Sequence, residues 1–249
     1  MEVIRDLFFD VDGTLVNPRT NKLDESTIKT IKQLKQQGYR LHLSTGRSLK
    51  SLQSEVKQLV KWDGYVLNNG QVVLGQNEEP LSVTEIKPDL MREIIEKANA
   101  LGIAIMLQGE RWKLVSPHNT AVLEVFSKLD EEPLPYEKYQ NDITYTFMIF
   151  CHDYSLLDEY PELRYAKGHS SYADVMLDGF NKAIGIEKLQ IQDYVAFGDS
   201  MNDLEMLKGA LLSGSMYESP MVLKEVSTIH STTKEDELTN LVRRLQLLK

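Results

Sequence analysis

This chain of 249 residues has a single cysteine, no long apolar run and no excess of positive charge. The single cysteine, Cys151, excludes an internal disulfide and a thiolate cluster for zinc, and is typical of a reducing cytosol. No apolar run approaches the roughly 18 residues of a membrane-spanning helix. The first residues are partly acidic, whereas a secretion signal begins with basic ones. We therefore expect a cytoplasmic protein with neither a signal nor a membrane anchor.

The charge balance restricts the partners. Lys and Arg number 28 against 37 Asp and Glu, which gives a formal net charge of −9. Such a surface has no general attraction for nucleic acid or an anionic membrane, and we expect neither as a partner. An anionic substrate would have to be held locally, by a metal or a few cations. The hydrophobic content of 42% is ordinary for a globular protein of one large or two modest domains.

Strand and helix patterns alternate near both ends of the chain. Short apolar runs predict strands over 3–9, 39–44, 65–67 and 194–197. Apolar positions at helical spacing predict helices after Asp24, from Ser48 through Val60, over 182–189 and over 234–248. The alternation predicts an α/β fold, a doubly wound parallel-sheet (Rossmann-like) core with helices on both faces.

The middle of the chain has a different pattern. Helices are predicted from Pro88 to Gly102 and over 119–128, and strands over 103–108, 111–115, 143–151 and 172–177. We interpret this part as an inserted α+β domain. The predicted division is 1–82 for the first part of the core, 83–179 for the insert and 180–249 for the second part of the core.

The strongest local motif is Asp10-Val11-Asp12-Gly13-Thr14, directly after the first predicted strand. Open α/β sheets bind ligands at the carboxyl ends of their strands, and a glycine allows a sharp turn there. A plain acidic turn is the alternative for this motif alone. A calcium loop beginning at Asp10 would need Gly and Glu where the chain has Leu15 and Asn21, so that interpretation fails.

Two further positions suggest an anion site. Thr45, Gly46 and Arg47 follow the second strand, where a hydroxyl, a glycine amide and a helix start converge. Lys182 stands at the return from the insert, before an apolar helix. A polar turn and a solvated lysine are the alternative interpretations.

The last motif is Gly198-Asp199-Ser200-Met201-Asn202-Asp203, after the fourth predicted strand. Asp199 and Asp203 share a face if the helix starts promptly. Together with Asp10 and Asp12 they would repel one another strongly without a cation among them. Hard oxygen ligands without Cys or His favour Mg²⁺ over zinc. Acidic caps of a helix are the alternative.

In this order the motifs resemble those of the haloacid dehalogenase-like hydrolases, and in detail the Cof-type phosphatases. The matching patterns are Asp-x-Asp-Gly-Thr, Thr-Gly-Arg, a Lys after the insert, and Gly-Asp-x-x-Asn-Asp. The resemblance covers the whole chain, and the insert resembles the smaller subtype of the family's type-two cap. Gly179-Phe180-Asn181-Lys182 departs from the Gly-Val-Ser-Lys of many relatives but keeps the lysine.

The resemblance implies a Mg²⁺-dependent phosphatase of small phosphorylated metabolites, such as sugar phosphates. It implies that Asp10 is the nucleophile, which forms an aspartyl-phosphate, and that Asp12 is the general acid and base. The implied metal ligands are Asp10, the Asp12 carbonyl and Asp199, with Asp203 bound directly or through water. The implied phosphoryl-binding groups are the Val11 amide, Thr45, the Gly46 amide, Lys182 and Asn202.

Roles for other polar residues follow less directly. We expect Arg47 to form a structural ion pair instead of facing the phosphate. Arg111, Trp112 and His169 are candidates for substrate contacts from the cap, with cap core or surface as the alternative for each.

Other functions remain open at this point. A phosphomutase or phosphotransferase would pass the phosphoryl group to a second substrate, and a sensor would bind metal or phosphate without turnover. A sensor is expected to have lost Asp10, Asp12 or Lys182, and all three are present. The glycine pattern of a dinucleotide-binding fold is absent after the first strand.

Overall fold

The structure, a computed structural model, describes residues 5–168 and 171–248. The chain divides into two compact units, Met1–Val83 with Asn181–Lys249, and Thr84–Phe180. We call the first the core unit and the second the cap unit. Their bounds differ by one residue from the division expected from the sequence. Residues 3 and 4 of the first predicted strand lie outside the described residues, as does His169.

The elements are numbered along the described residues. The strands are β1 (Asp6–Phe9), β2 (Val16–Asn17), β3 (Lys22–Leu23), β4 (Arg40–Ser44), β5 (Gly64–Leu67), β6 (Val72–Leu74), β7 (Pro80–Val83), β8 (Ala104–Gly109), β9 (Trp112–Leu114), β10 (Thr144–Phe150), β11 (Leu163–Lys167), β12 (Tyr172–Leu177), β13 (Tyr194–Gly198), β14 (Leu212–Ser215) and β15 (Ile229–His230). The helices are α1 (Glu25–Gln36), α2 (Ser54–Lys57), α3 (Pro88–Ala100), α4 (Thr120–Leu129), α5 (Lys182–Lys188), α6 (Leu204–Gly209), α7 (Met221–Val226) and α8 (Glu237–Arg244). Short 3-10 turns span Asn68–Gly70, Ser155–Glu159 and Met201–Asp203.

The main sheet has the order β15-β14-β13-β1-β4-β5-β6-β7. The first six of these strands run parallel, and β6 and β7 extend the sheet antiparallel. Strand β1 lies in the middle, and its Phe9 pairs with Leu43 on one side and Phe197 on the other. The expected α/β fold with a parallel-sheet core is confirmed.

Both faces of this sheet are covered at β1, which explains why the strand is apolar from Leu7 to Phe9. Phe8 faces a buried cluster with Ile186 of α5 and Met206 of α6. Phe9 faces the other side, where it is also fully buried, with its ring centroid 6.4 Å from that of the buried Trp62. Strands buried on both faces appear in the sequence as continuous apolar runs.

The cap unit contains an antiparallel sheet of order β11-β12-β10-β8-β9. Helix α3 packs on one face of this sheet and α4 on the other. Successive residues of a strand point to opposite faces, so Ile105 of β8 packs with α3 while Met106 packs with α4.

Two helix predictions were too long. The helix expected from Ser48 is limited to α2, because hydroxyls and a guanidinium bind the backbone of the preceding loop. Ser51 Oγ donates to the Ser48 carbonyl at 3.0 Å, and Arg47 Nη1 donates to the Ser51 carbonyl at 3.0 Å. Such bonds compete with helical ones. The closing helix spans Glu237–Arg244 instead of 234–248.

No helix among the described residues has both the length and the apolar character needed to cross a membrane.

Candidate active site

Parallel register brings three of the sequence motifs to one edge of the main sheet. Asp10 follows β1, Thr45 follows β4 and Asp199 follows β13. The Asp10 N–H donates to the Phe197 carbonyl at 3.0 Å, which extends the pairing of β1 and β13 by one residue. The motifs therefore converge at the carboxyl ends of adjacent strands, where open α/β sheets bind ligands.

A cluster of three carboxylates and one ammonium lies at this edge. Oxygens of Asp10, Asp199 and Asp203 lie within 4.8 Å of one another. Lys182, the first residue of α5, donates from Nζ to Asp10 Oδ1 and to Asp203 Oδ1, each at 2.5 Å. The Lys182 side chain has 0% exposure and that of Asp10 5%. The structure thus brings together four of the predicted site residues.

Asp203 is fixed by backbone amides as well as by Lys182. Its Oδ2 accepts from the Asp199 N–H at 3.0 Å and from the Ser200 N–H at 3.1 Å. A Cβ on Gly198 would lie 2.5 Å from Asp203 Cγ, so the strand must end in glycine for the carboxylate to sit there. Asp203 therefore connects the strand end, the following turn and α5.

Asp199 packs against the first motif. Gly13 has a φ of +87°, and a Cβ there would lie 2.3 Å from Asp199 Oδ2. The Thr14 hydroxyl donates to Asp199 Oδ1 at 3.5 Å. Glycine at this position thus provides both the turn and the space for the carboxylate.

Burial and mutual repulsion shift the pKa values of this cluster. Burial raises the pKa of Asp10 well above its usual value, and the charges of Asp203 and Asp199 add to the shift against the opposing effect of Lys182. Burial, with the charge of Asp203, raises the pKa of Asp199 to about 7. Burial would lower the pKa of Lys182, but Asp10 and Asp203 outweigh it and raise that pKa.

The charge balance and the donors of this cluster fit a divalent cation. Three carboxylates face one ammonium, which leaves an excess of negative charge. Carboxylate oxygens with no nitrogen or sulfur donor are the ligands of hard cations. The residues present could therefore hold a metal ion at Asp10, Asp199 and Asp203.

Asp12 has a different environment. Its carboxylate is 48% exposed and accepts from Arg47 twice, with Nε to Oδ2 at 2.7 Å and Nη2 to Oδ1 at 2.6 Å. Arg47 thus forms an ion pair, as expected from the sequence. The Asp12 carboxylate is not part of the three-carboxylate cluster, and metal binding through its backbone carbonyl stays a prediction.

The loop after β4 is held from the neighbouring strand. The Thr45 N–H donates to the Val66 carbonyl at 2.8 Å, and the Asn69 N–H donates to the Thr45 carbonyl at 3.1 Å. The Thr45 hydroxyl accepts from the Arg47 N–H at 3.2 Å. Thr45 and Val11, the latter in the turn after β1, are both buried.

Asn69 is a site residue that the sequence analysis missed. Its Oδ1 accepts from Asn202 Nδ2 at 3.0 Å, so it touches a predicted phosphoryl-binding residue. The pair Asn68-Asn69 before Gly70 is typical of a turn. The pair directly follows β5, which lies next to β4 in the sheet, and this position at a strand end could have indicated a site residue.

The candidate cap contacts lie in or beside β9. Arg111 forms an ion pair with Glu137 of the same unit, at 2.6 Å from Nη1 to Oε1. Trp112 is exposed at the first position of β9. Contacts of either residue with a substrate stay predictions, and His169 lies outside the described residues.

A doubly wound sheet with a carboxylate cluster at its carboxyl edge defines an α/β enzyme whose chemistry resides in strand-end loops. Comparison with known proteins specifies the family. The chain belongs to the haloacid dehalogenase-like hydrolases, whose family model matches residues 7–238.

The relatives agree with this assignment. A Bacillus subtilis protein named "Putative phosphatase YkrA" is 27% identical over 98% of both chains. An HMP-PP phosphatase of Cronobacter sakazakii is 24% identical over 88% of this chain and 86% of its own. The structure of BT1666 from Bacteroides thetaiotaomicron, described among phosphatases of the superfamily, matches at a TM-score of 0.88 with 21% identity, over 99% of this chain and 96% of that one. The expectation of a hydrolytic enzyme of the phosphatase class is confirmed.

Proposed function

We propose that the protein is a Mg²⁺-dependent phosphatase that hydrolyses phosphate monoesters of small metabolites through an aspartyl-phosphate on Asp10. The supporting observation is the buried Asp10 carboxylate, held by Lys182 beside Asp199 and Asp203. A Bacillus subtilis relative is named 5-amino-6-(5-phospho-D-ribitylamino)uracil phosphatase, after a small phosphorylated molecule, and we extend that class of substrate to this chain.

Asp10 carries the covalent step in this proposal. A carboxylate oxygen of Asp10 forms a bond to phosphorus while the bond from phosphorus to the ester oxygen breaks, and the departing alkoxide takes its proton from Asp12. Water then attacks phosphorus, gives a proton to Asp12 and displaces the Asp10 carboxylate. Two easier displacements replace one difficult one. The ammonium of Lys182 favours the ionised, nucleophilic form of Asp10.

The metal would be held by Asp10, the Asp12 carbonyl and Asp199, with Asp203 beside them. A bound Mg²⁺ supplies charge neutralisation and polarises a phosphoryl oxygen. The cluster already contains the excess negative charge that such an ion would balance.

The phosphoryl oxygens need several positioned donors. Lys182 has three N–H donors and uses two of them on Asp10 and Asp203. The third has no acceptor among residues 5–168 and 171–248, and we propose that it donates to a phosphoryl oxygen. The other proposed donors are the Thr45 hydroxyl, the amides of Val11 and Gly46, and the side chain of Asn202. In phosphoryl transfer, fixed donors and cations provide most of the catalysis.

The role of Asp12 depends on its ion pair with Arg47. Both carboxylate oxygens accept from the guanidinium. When Asp12 is protonated, one of its oxygens carries an O–H donor and no longer accepts a charge-assisted bond from Arg47. The other oxygen can still accept. We therefore propose that the pair with Arg47 loosens in the acid form of Asp12 and re-forms when Asp12 is ionised.

Release of inorganic phosphate from a panel of phosphorylated metabolites and p-nitrophenyl phosphate tests the proposal, with Mg²⁺ and with a chelator. We expect turnover with Mg²⁺ only. Asp10→Asn should abolish it, whereas the control Asp6→Asn, at the start of the strand that Asp10 follows, should retain it while folded. Beryllium fluoride should form an acyl-phosphate mimic with the wild type and with Asp6→Asn but not with Asp10→Asn, and fluorine NMR would detect it.

Three results would count against parts of this proposal. Turnover by Asp10→Asn would overturn the assignment of the nucleophile. Full turnover in chelator would remove the metal from the reaction. Consumption of the ester without free phosphate, with transfer to an added alcohol, would indicate a phosphotransferase or phosphomutase instead.

A further inference from the structure

Asn69 lies where three segments of the active site meet. Its backbone N–H donates to the Thr45 carbonyl at 3.1 Å, and its Oδ1 accepts from Asn202 Nδ2 at 3.0 Å. The next residue, Gly70, packs so closely on the start of α5 that a Cβ there would lie 2.2 Å from the Asn181 carbonyl oxygen. The turn therefore touches the loop after β4, the turn after β13 and the helix that begins with Lys182.

The amide nitrogen of Asn69 is an unused donor beside the predicted phosphoryl site. Among the described residues it donates no hydrogen bond, although Asn69 is only 7% exposed. A Cβ on Gly46 would lie 3.3 Å from Asn69 Nδ2, so the nitrogen lies against Gly46. The nitrogen is not among the fully buried side-chain atoms without a partner, so it keeps some exposure, and an anion beside Gly46 would accept its hydrogen bond.

Backbone geometry alone does not account for this arrangement. Asn68 and Asn69 have φ values of +48° and +52°, which asparagine tolerates better than most residues. Both amide atoms of the Asn68 side chain are buried without a hydrogen-bond partner in the described part of the chain. The two residues share a conformation, but only Asn69 is bonded to Asn202.

We propose that Asn69 is a further phosphate-binding residue of this enzyme. Its Nδ2 donates to an oxygen of the phosphoryl group, while its Oδ1 holds Asn202. The Asn202 amide is fixed from the other side by the Ser200 hydroxyl, which donates to Asn202 Oδ1 at 2.8 Å. The inference rests on the proposed phosphatase function and adds a donor from the loop after β5.

Four proteins test the inference: the wild type, Asn69→Gly, Asn69→Asp and the control Asn68→Gly. Glycine adopts the positive φ without strain, so both glycine variants remove a side chain and keep the turn. Aspartate keeps an acceptor for Asn202 but replaces the donor with a negative oxygen. The measurements are kcat and KM for p-nitrophenyl phosphate, the inhibition constant of inorganic phosphate, and the thermal midpoint.

We expect Asn69→Gly to raise the inhibition constant of phosphate and lower kcat/KM by about 10- to 100-fold, the usual effect of a hydrogen bond to a charged group. Asn69→Asp should lose at least as much, because its carboxylate repels the anion. Asn68→Gly should stay within about twofold of the wild type, since its side chain has no partner at the site. The thermal midpoints should stay close together.

Several results would overturn the inference. One is phosphate inhibition in Asn69→Gly that equals that of the wild type. Full activity in Asn69→Asp would reduce the role of Asn69 to holding Asn202. An equal loss of activity in Asn68→Gly would indicate an effect on the turn. A wild type that hydrolyses no phosphate ester would instead refute the proposed function. Calorimetric binding of inorganic phosphate to the four proteins would then still test Asn69.

Discussion

Replacement of Lys182 by methionine probes the cluster most directly. The change removes the ammonium that bridges Asp10 and Asp203 and leaves a side chain of similar length. Lys182 and Asp203 both have 0% exposure, so solvent does not screen the loss. Removal of one partner from a buried ion pair costs about 3–5 kcal/mol, since a charge is left without compensation. At ~2–4 °C per kcal/mol for a chain of this size, we expect the thermal midpoint to fall by about 6–20 °C.

Circular dichroism melts and urea unfolding in chelator measure this loss, and phosphate release measures the lost donor. A ligand that binds the native state stabilises it. Mg²⁺ should raise the midpoint of Lys182→Met more than that of the wild type, because the cluster without its ammonium is more negative and attracts the cation more strongly. Lys113→Met is the control. Lys113 is 5% exposed and pairs with Asp142 in the cap unit, so this variant should lose stability without loss of the chemical step. A Lys182→Met variant within about 1 kcal/mol of the wild type would refute the argument from burial.

Three further predictions concern single side chains. Burial raises the pKa of Asp6, but hydrogen bonds from His42 and Arg40 outweigh it and hold the pKa below the usual 3.8. The bonds of Asp6 to His42 and Arg40 therefore stabilise the fold above about pH 4, and this contribution is lost at lower pH. The urea midpoints of the wild type and Asp6→Asn should differ at neutral pH and converge towards pH 2. A difference that stays constant with pH would contradict this. Gly13→Ala should displace Asp199 and reduce turnover, because its Cβ would lie 2.3 Å from Oδ2; wild-type kinetics would show that the turn adapts. Asp199→Ala should sharply raise the Mg²⁺ concentration needed for activity, and unchanged metal dependence would remove it from the ligands.

The strands were predictable from sequence wherever burial dictates a continuous apolar run. Residues 6–9 and 194–197 form strands, and the parallel pairing follows from the helices between them. The sequence did not indicate β6 and β7, because short antiparallel strands at a sheet edge carry a weak pattern. The helix expected from Ser48 failed for another reason. Its apolar spacing was helical, but the Ser51 hydroxyl and Arg47 bind backbone groups that a longer helix would need.

The site was predictable as far as it depends on strand ends. Asp10 and Asp199 converge because parallel strands place their carboxyl ends together. Lys182, after the insert, donates to Asp10 and to Asp203 beside them. Contacts that depend on loop conformation were harder to derive. Asn69 reaches Asn202 across 133 positions through a left-handed turn, and no spacing rule connects two such residues.

The pairing of β1 with β13 has a consequence for how the protein acquires its structure. Tyr194 pairs with Asp6, so the central pair of strands cannot form until the ribosome has made the segment that follows the cap unit. The cap unit is continuous in sequence and its antiparallel neighbours are closer along the chain, which favours earlier folding. The nascent chain would therefore assemble its acidic cluster last. A chain that stops before residue 194 would leave the apolar edge of β1 without a partner and prone to aggregation.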